Sequence, residues 1–159
     1  MLYTNLSVQS TLLEGFTANG SLNYRSYRGY NYDPAYTSHA HGWSSGPTSA
    51  LTFYVLGLTV TAPQGKTWSF APHTSGLSGA EGGFETPLGW FGARWSLTGE
   101  GNHPKFSVNL KTPPDTAGML KLPIRGKVSV NGRISAESNV DELGAITLAG
   151  GEYRIVVQS

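Results

Sequence analysis

Phe91-Gly92-Ala93-Arg94-Trp95-Ser96-Leu97 is the stretch on which the fold turns. Positions 91, 93, 95 and 97 are apolar, and positions 92, 94 and 96 are small or polar. A period of two sends successive side chains to opposite faces, so the run predicts a strand with one buried face and one wet face. The same alternation recurs downstream at Phe106, Val108 and Leu110, at Leu120 and Leu122, at Val128 and Val130, at Ile146 and Leu148, and at Tyr153, Ile155 and Val157. Turn residues separate these runs: Pro87-Leu88-Gly89, Gly99-Glu100-Gly101, Pro113-Pro114-Asp115, Asn131-Gly132 and Gly150-Gly151. Short half-polar strands at such spacing predict an antiparallel β-sandwich over residues 63–159.

Upstream the period is helical. Leu6, Leu12, Leu13 and Phe16 can share a helix face, ended by Gly15 and Asn19-Gly20. Residues 20–43 form a long loop holding Tyr24, Tyr27, Tyr30, Tyr32 and Tyr36. Loops of this length are usually functional or disordered, and the aromatic content argues against disorder. A second helix follows, with Ser44 or Ser45 as its cap and Pro47 in its first turn. Leu51, Tyr54, Val55 and Leu58 then recur at helical spacing, with Gly57 near the end. The fold class is therefore mainly β with an N-terminal helical hairpin. The hairpin spans residues 1–62 and cannot hold a core of its own; its apolar stripes must be buried against something, so either the chain oligomerises through this part or it is the tail of a larger protein.

Composition removes several functions. Charged residues make up 13% of the 159, about half the usual share, and the net charge is +1. That gives no basic field for nucleic acid. Without cysteine there are no disulfides, zinc-thiolate sites or thiol nucleophiles. The longest apolar run, residues 50–58, is too short to span a membrane, and Met1-Leu2-Tyr3-Thr4-Asn5 lacks the features of a signal peptide. Sequons at Asn5 and Asn19 lean weakly toward secretion.

Several segments resemble one family. The run Ser38-His39-Ala40-His41-Gly42-Trp43-Ser44-Ser45-Gly46-Pro47-Thr48 resembles a motif near the end of the catalytic barrel in α-L-rhamnosidases and related six-hairpin glycosidases. Tyr54-Val55-Leu56-Gly57-Leu58 is similar to the last barrel helix. Trp68-Ser69-Phe70-Ala71-Pro72-His73 is similar to the first strand after it. Thr86-Pro87-Leu88-Gly89, followed by Ala93-Arg94-Trp95, resembles the family's Thr-Pro-x-Gly hairpin, and Leu148-Ala149-Gly150-Gly151-Glu152-Tyr153 its closing strand. Thr11-Leu12-Leu13-Glu14 is similar to a Thr-Leu-Trp-Glu segment, with Leu13 where many members carry Trp. These matches run in order over nearly the whole chain. The resemblance implies the end of an (α/α)6 barrel over residues 1–62, followed by the C-terminal sandwich.

It also implies a chemistry. The family removes terminal α-L-rhamnose with inversion, which needs one carboxyl group to protonate the leaving oxygen and another to activate water. By resemblance Glu14 is the general base, and the general acid belongs to an earlier part of the barrel. His41 would line the sugar subsite and hydrogen-bond a hydroxyl, and His39 is grouped with it as substrate-binding. Trp43 is either a sugar platform or a core residue. The implied partners are a rhamnosylated glycoside or polysaccharide and the remainder of the barrel, and the implied compartment is extracellular.

The residues keep duller readings beside these. Glu14 alone reads as a solvated carboxylate at a helix end. His39-Ala40-His41 has the spacing of metal ligands, but zinc needs a third or fourth ligand and His73 and His103 are remote, so neither metal nor cofactor is expected. Tyr24, Tyr27, Tyr30 and Tyr32 could wall a sugar site, with Arg25 and Arg28 bonding hydroxyls, or the loop packs on its own rings. Glu81 and Glu85 read as solvated turn carboxylates around Gly82-Gly83-Phe84. The function classes that remain are a glycosidase portion incomplete by itself, a free-standing carbohydrate-binding module, and a partner-docking domain.

Overall fold

In the computed structural model of the chain the described residues are 14, 15, 17–19, 38, 41–99, 103–134 and 145–158. The helix expected over residues 6–16, the tyrosines of the 20–43 loop and His39 lie outside them. The chain divides into two compact units, Met1–Ser49 and Ala50–Ser159.

In the first unit the described chain makes a 3-10 turn at Gly42–Ser45. His41 precedes it with an extended backbone, and its carbonyl accepts the Ser44 amide at 2.9 Å. Ser44 and Ser45 lie inside this turn, and Ser45 directly precedes the helix that follows. Pro47 sits in the first turn of the short α-helix Gly46–Ala50, as its fixed φ favours.

Residues Leu51–Leu56 widen into a π-helical turn, which Gly57 ends in the left-handed conformation at φ 83°. The helix expected to reach Leu58 thus stops at Leu56. Leu58 begins strand β1 (Leu58–Val60). The wider turn carries Leu56 into the sandwich core, whereas Leu51 and Tyr54 stay exposed.

Among the described residues nine strands follow: β2 (Thr67–Phe70), β3 (Gly79–Thr86), β4 (Gly89–Thr98), β5 (Lys105–Lys111), β6 (Ala117–Lys121), β7 (Lys127–Val130), β8 (Arg133–Ile134), β9 (Ala145–Ala149) and β10 (Glu152–Gln158). They form a four-stranded sheet ordered β1-β2-β6-β9 and a six-stranded sheet ordered β3-β4-β5-β10-β7-β8. Among the described residues all pairs are antiparallel except β2 with β6. After β2 the chain crosses to the other sheet, builds β3 to β5, and returns as β6 beside β2 in the same direction. A parallel neighbour needs a crossover of this kind.

Register follows the alternation. Trp95 pairs with Val108, and Val108 with Ile155, so one inward row crosses β4, β5 and β10. Phe91, Trp95, Phe106, Val108, Ile155 and Val157 meet Leu58, Trp68, Phe70, Leu120 and Ile146 of the smaller sheet in one buried core. These pairs supply most of the apolar burial that stabilises the sandwich. The β3–β4 hairpin turns where the Thr86 hydroxyl donates to Gly89 O at 3.1 Å and accepts the Leu88 amide at 3.2 Å. Asn131, at φ 51°, and Gly132, at φ 77°, make the tight β7–β8 turn that their sequence predicts.

One strand departs from its sequence reading. Glu81 and Glu85 lie on β3, an eight-residue strand, and not in a turn. Gly83 pairs with Gly92 across the β3–β4 ladder. Side chains built on the two glycines would run into the Trp90 indole, at 2.4 Å from Cζ2 and 2.5 Å from Nε1 respectively. The glycines are there to let the ring lie on the sheet, and they do not break the strand.

Candidate functional site

Glu14 lies at a bend and is partly buried. Its backbone amide donates to Ser38 O at 2.8 Å, and the Ser38 amide donates to Glu14 Oε2 at 3.1 Å. This reciprocal pair joins two segments distant in sequence and orients the carboxyl group. Ser38 is three residues before His41, which keeps the Cα atoms of Ser38 and His41 within ~11 Å of each other. The unit thus brings the acidic residue to the segment that carries the histidine and tryptophan.

His41 and Trp43 form a second local pair. Their rings meet edge to face, with centroids 4.5 Å apart and planes at 87°. Trp43 is 85% exposed, which decides against its being a core residue of this chain. The arrangement is a partly buried imidazole in edge-to-face contact with an exposed indole, suited to hydrogen-bonding a hydroxyl beside a ring that can cover an apolar sugar face. Among the described residues no three His, Cys, Asp or Glu side chains converge as metal ligands. No helix among them is long and apolar enough to cross a membrane.

The sandwich unit carries a different feature, which sequence reasoning missed. The outer face of the six-stranded sheet holds a groove of about 710 Å³ lined by Trp90, Arg94, Asn109, Lys111, Glu152 and Arg154, among others. Cross-strand pairing sets Glu81, Arg94, Asn109 and Arg154 in one row, and Gly83, Gly92, Lys111 and Glu152 in the next. Arg94 Nε lies 3.3 Å from Glu81 Oε2, and Lys111 Nζ lies 2.7 Å from Glu152 Oε1. The hydrogen bond from Lys111, reinforced by its charge, holds the Glu152 carboxyl below the ordinary carboxylate range. The available signal was the polar half of the β4, β5 and β10 alternation, which places these residues outward without saying which strands are neighbours.

Residues 57–137, about half of the chain, match the family model of the bacterial alpha-L-rhamnosidase C-terminal domain. The chain belongs to this family. The rhamnosidase C-terminal domain accounts for the sandwich, and three solved structures share its fold. The α-L-rhamnosidase from Dictyoglumus thermophilum superimposes with a TM-score of 0.62 at 20% identity, over 77% of this chain and 14% of that enzyme. The α-L-rhamnosidase of Streptomyces avermitilis, solved with L-rhamnose, gives 0.59 at 18% identity over 79% of this chain and 12% of its own. That of Aspergillus terreus gives 0.56 at 22% identity over 76% and 12%. Comparison with curated protein sequences yields no match. The chain spans only about an eighth of the length of these enzymes, and it is a glycoside hydrolase-related module, the C-terminal part of an α-L-rhamnosidase-like protein.

Proposed function

We propose that this chain works as the C-terminal portion of a glycosidase that removes terminal α-L-rhamnose with inversion, and that it is inactive without the rest of the barrel. In this reading the helical part of residues 1–62 closes the barrel and the sandwich caps it. The observation that carries the reading is the reciprocal hydrogen-bonded pair between Glu14 and Ser38, which brings the acidic residue to the His41–Trp43 segment. Glu14 acts as the general base that takes a proton from the attacking water. The general acid comes from the remainder of the barrel. His41 hydrogen-bonds a sugar hydroxyl, His39 assists from the same segment, and Trp43 offers its open face to the sugar. Exposure of Trp43, Leu51 and Tyr54 supports a missing protein partner for the helical segment. Secretion belongs to the same reading and rests on the sequons at Asn5 and Asn19.

The test uses an aryl α-L-rhamnoside. A polypeptide carrying both the barrel and this chain hydrolyses it, and NMR of the first-formed sugar reports the inverted anomer. Glu14→Gln there lowers kcat by ~10³-fold or more while KM changes little. The 159-residue chain by itself gives no turnover. Robust, Glu14-dependent turnover by the chain alone would overturn its incompleteness. Wild-type rates in Glu14→Gln would remove Glu14 from the mechanism.

A further inference from the structure

The groove on the outer sheet face has the makings of a binding site that the glycosidase reading does not use. The Trp90 indole lies across Gly83 and Gly92, in the space their side chains would fill. Backed by the two glycines, which pair across β3 and β4, the ring is still 46% exposed. An exposed aromatic ring backed by glycines can offer its apolar surface to the C–H face of a pyranose. Around it, polar side chains project from β4, β5 and β10 at the sheet spacing of ~4.8 Å between strands. They can meet successive hydroxyls along an extended ligand. The groove is open along the sheet and does not enclose its contents, which suits a chain better than a single small molecule.

Charge narrows the ligand. Arg94 is paired with Glu81, and Lys111 with Glu152. Arg154 has no ion pair among the described residues, and it sits directly across from Asn109 on β5. Its backbone is held on the other side, where the Arg154 amide donates to Asn131 Oδ1 at 2.8 Å and the Asn131 amide donates to Arg154 O at 2.8 Å. The result is an uncompensated guanidinium on a rigid strand, beside an amide. A guanidinium in that position favours a carboxylate, which it can take in a bidentate hydrogen bond. From the register, Arg154 and Gly92 lie two strands and one row apart, ~12 Å at the backbone. One ligand touching both needs at least two sugar units.

We propose that the outer face of the six-stranded sheet is a second, non-catalytic carbohydrate site that takes a uronate-bearing oligosaccharide, with Trp90 as its stacking platform and Arg154 as its carboxylate clamp. The site would hold an acidic polysaccharide without taking part in hydrolysis.

The 159-residue chain is titrated with tri-galacturonate and, separately, with the methyl ester of the same trisaccharide, following tryptophan fluorescence and heat. The free acid saturates the chain and binds about tenfold more tightly than the ester. Trp90→Ala abolishes binding of both. Arg154→Met binds the acid only as well as the ester. Met119→Ala, at an exposed position on β6 of the smaller sheet, leaves binding intact. Circular dichroism and the melting temperature check that each variant is folded. The proposal is overturned by an absence of saturable binding, by equal affinity for acid and ester, by wild-type binding in Trp90→Ala, or by loss of binding in Met119→Ala.

Discussion

The indole Nε1 of Trp68 donates to the hydroxyl of Thr116 at 3.0 Å, and that hydroxyl donates onward to Pro113 O at 2.7 Å. Both residues are buried, with Thr116 6% and Trp68 2% exposed. The relay ties β2 to the loop entering β6, next to the parallel pair of the smaller sheet. A buried indole donor needs such an acceptor, because leaving it unpaired costs as much as several ordinary contacts.

Thr116→Val keeps the shape of the side chain and removes the acceptor. The orphaned Trp68 donor should cost about 2 kcal/mol. Urea unfolding should show a lower midpoint with an unchanged slope. Thr116→Ser, which keeps the hydroxyl, should lose about half as much. Equal losses in the two variants would mean that methyl packing, and not the hydrogen bond, is what matters.

Gly118 lies beside Trp68 in the β2–β6 register, and a methyl group there would stand 2.1 Å from Cδ2 of the indole. The ring is in the core and has no room to retreat. Gly118→Ala should therefore destabilise the sandwich by about 3 kcal/mol, and the melting temperature should fall by roughly 15 °C. A wild-type melting temperature would show that the indole can move aside.

Trp95 has the opposite environment, since its buried Nε1 meets no hydrogen-bond partner among the described residues. Trp95→Phe removes an unpaired donor along with some packing, whereas Trp68→Phe removes a paired one. The Trp95 variant should be the milder of the two by about 1 kcal/mol, as compared by thermal melts of the two proteins. A larger loss at Trp95 would reveal a partner for its donor.

The Lys111–Glu152 pair sets a pH dependence. The folded-state value of Glu152 is depressed, first by the hydrogen bond from Lys111 and then by its charge. Its contribution is present above the ordinary value of 4.5 and is lost as pH falls through the lower folded value. Both side chains are more than half exposed, so the effect on stability is small. Lys111→Met should bring the Glu152 carboxyl midpoint up toward 4.5, read by carbon NMR of that carboxyl group. An unmoved midpoint would assign the depression to another group.

The inward residues of β4, β5 and β10 were legible in the sequence, because alternation is a property of each strand by itself. The Asn131-Gly132 turn was legible for the same reason, since both residues accept positive φ. The site was legible only in part. Glu14, His41 and Trp43 were marked by resemblance to rhamnosidases, and no local rule would have set Ser38 against Glu14. The groove escaped notice because Trp90, Arg94, Asn109 and Arg154 come from three strands whose order is not written in their own residues.

By itself the sequence determined that the second part of the chain makes half-buried strands, where they turn and which faces are apolar, because side-chain period and turn chemistry act over a few residues. The tertiary structure decided the rest. It set β6 parallel to β2, ended the helix at Gly57 so that Leu58 could pair with Phe70, and kept Gly82-Gly83 in a strand by laying Trp90 over its partner. Each of these outcomes depends on a neighbour far away in the chain, and a strand's partner is chosen by packing across the whole sandwich.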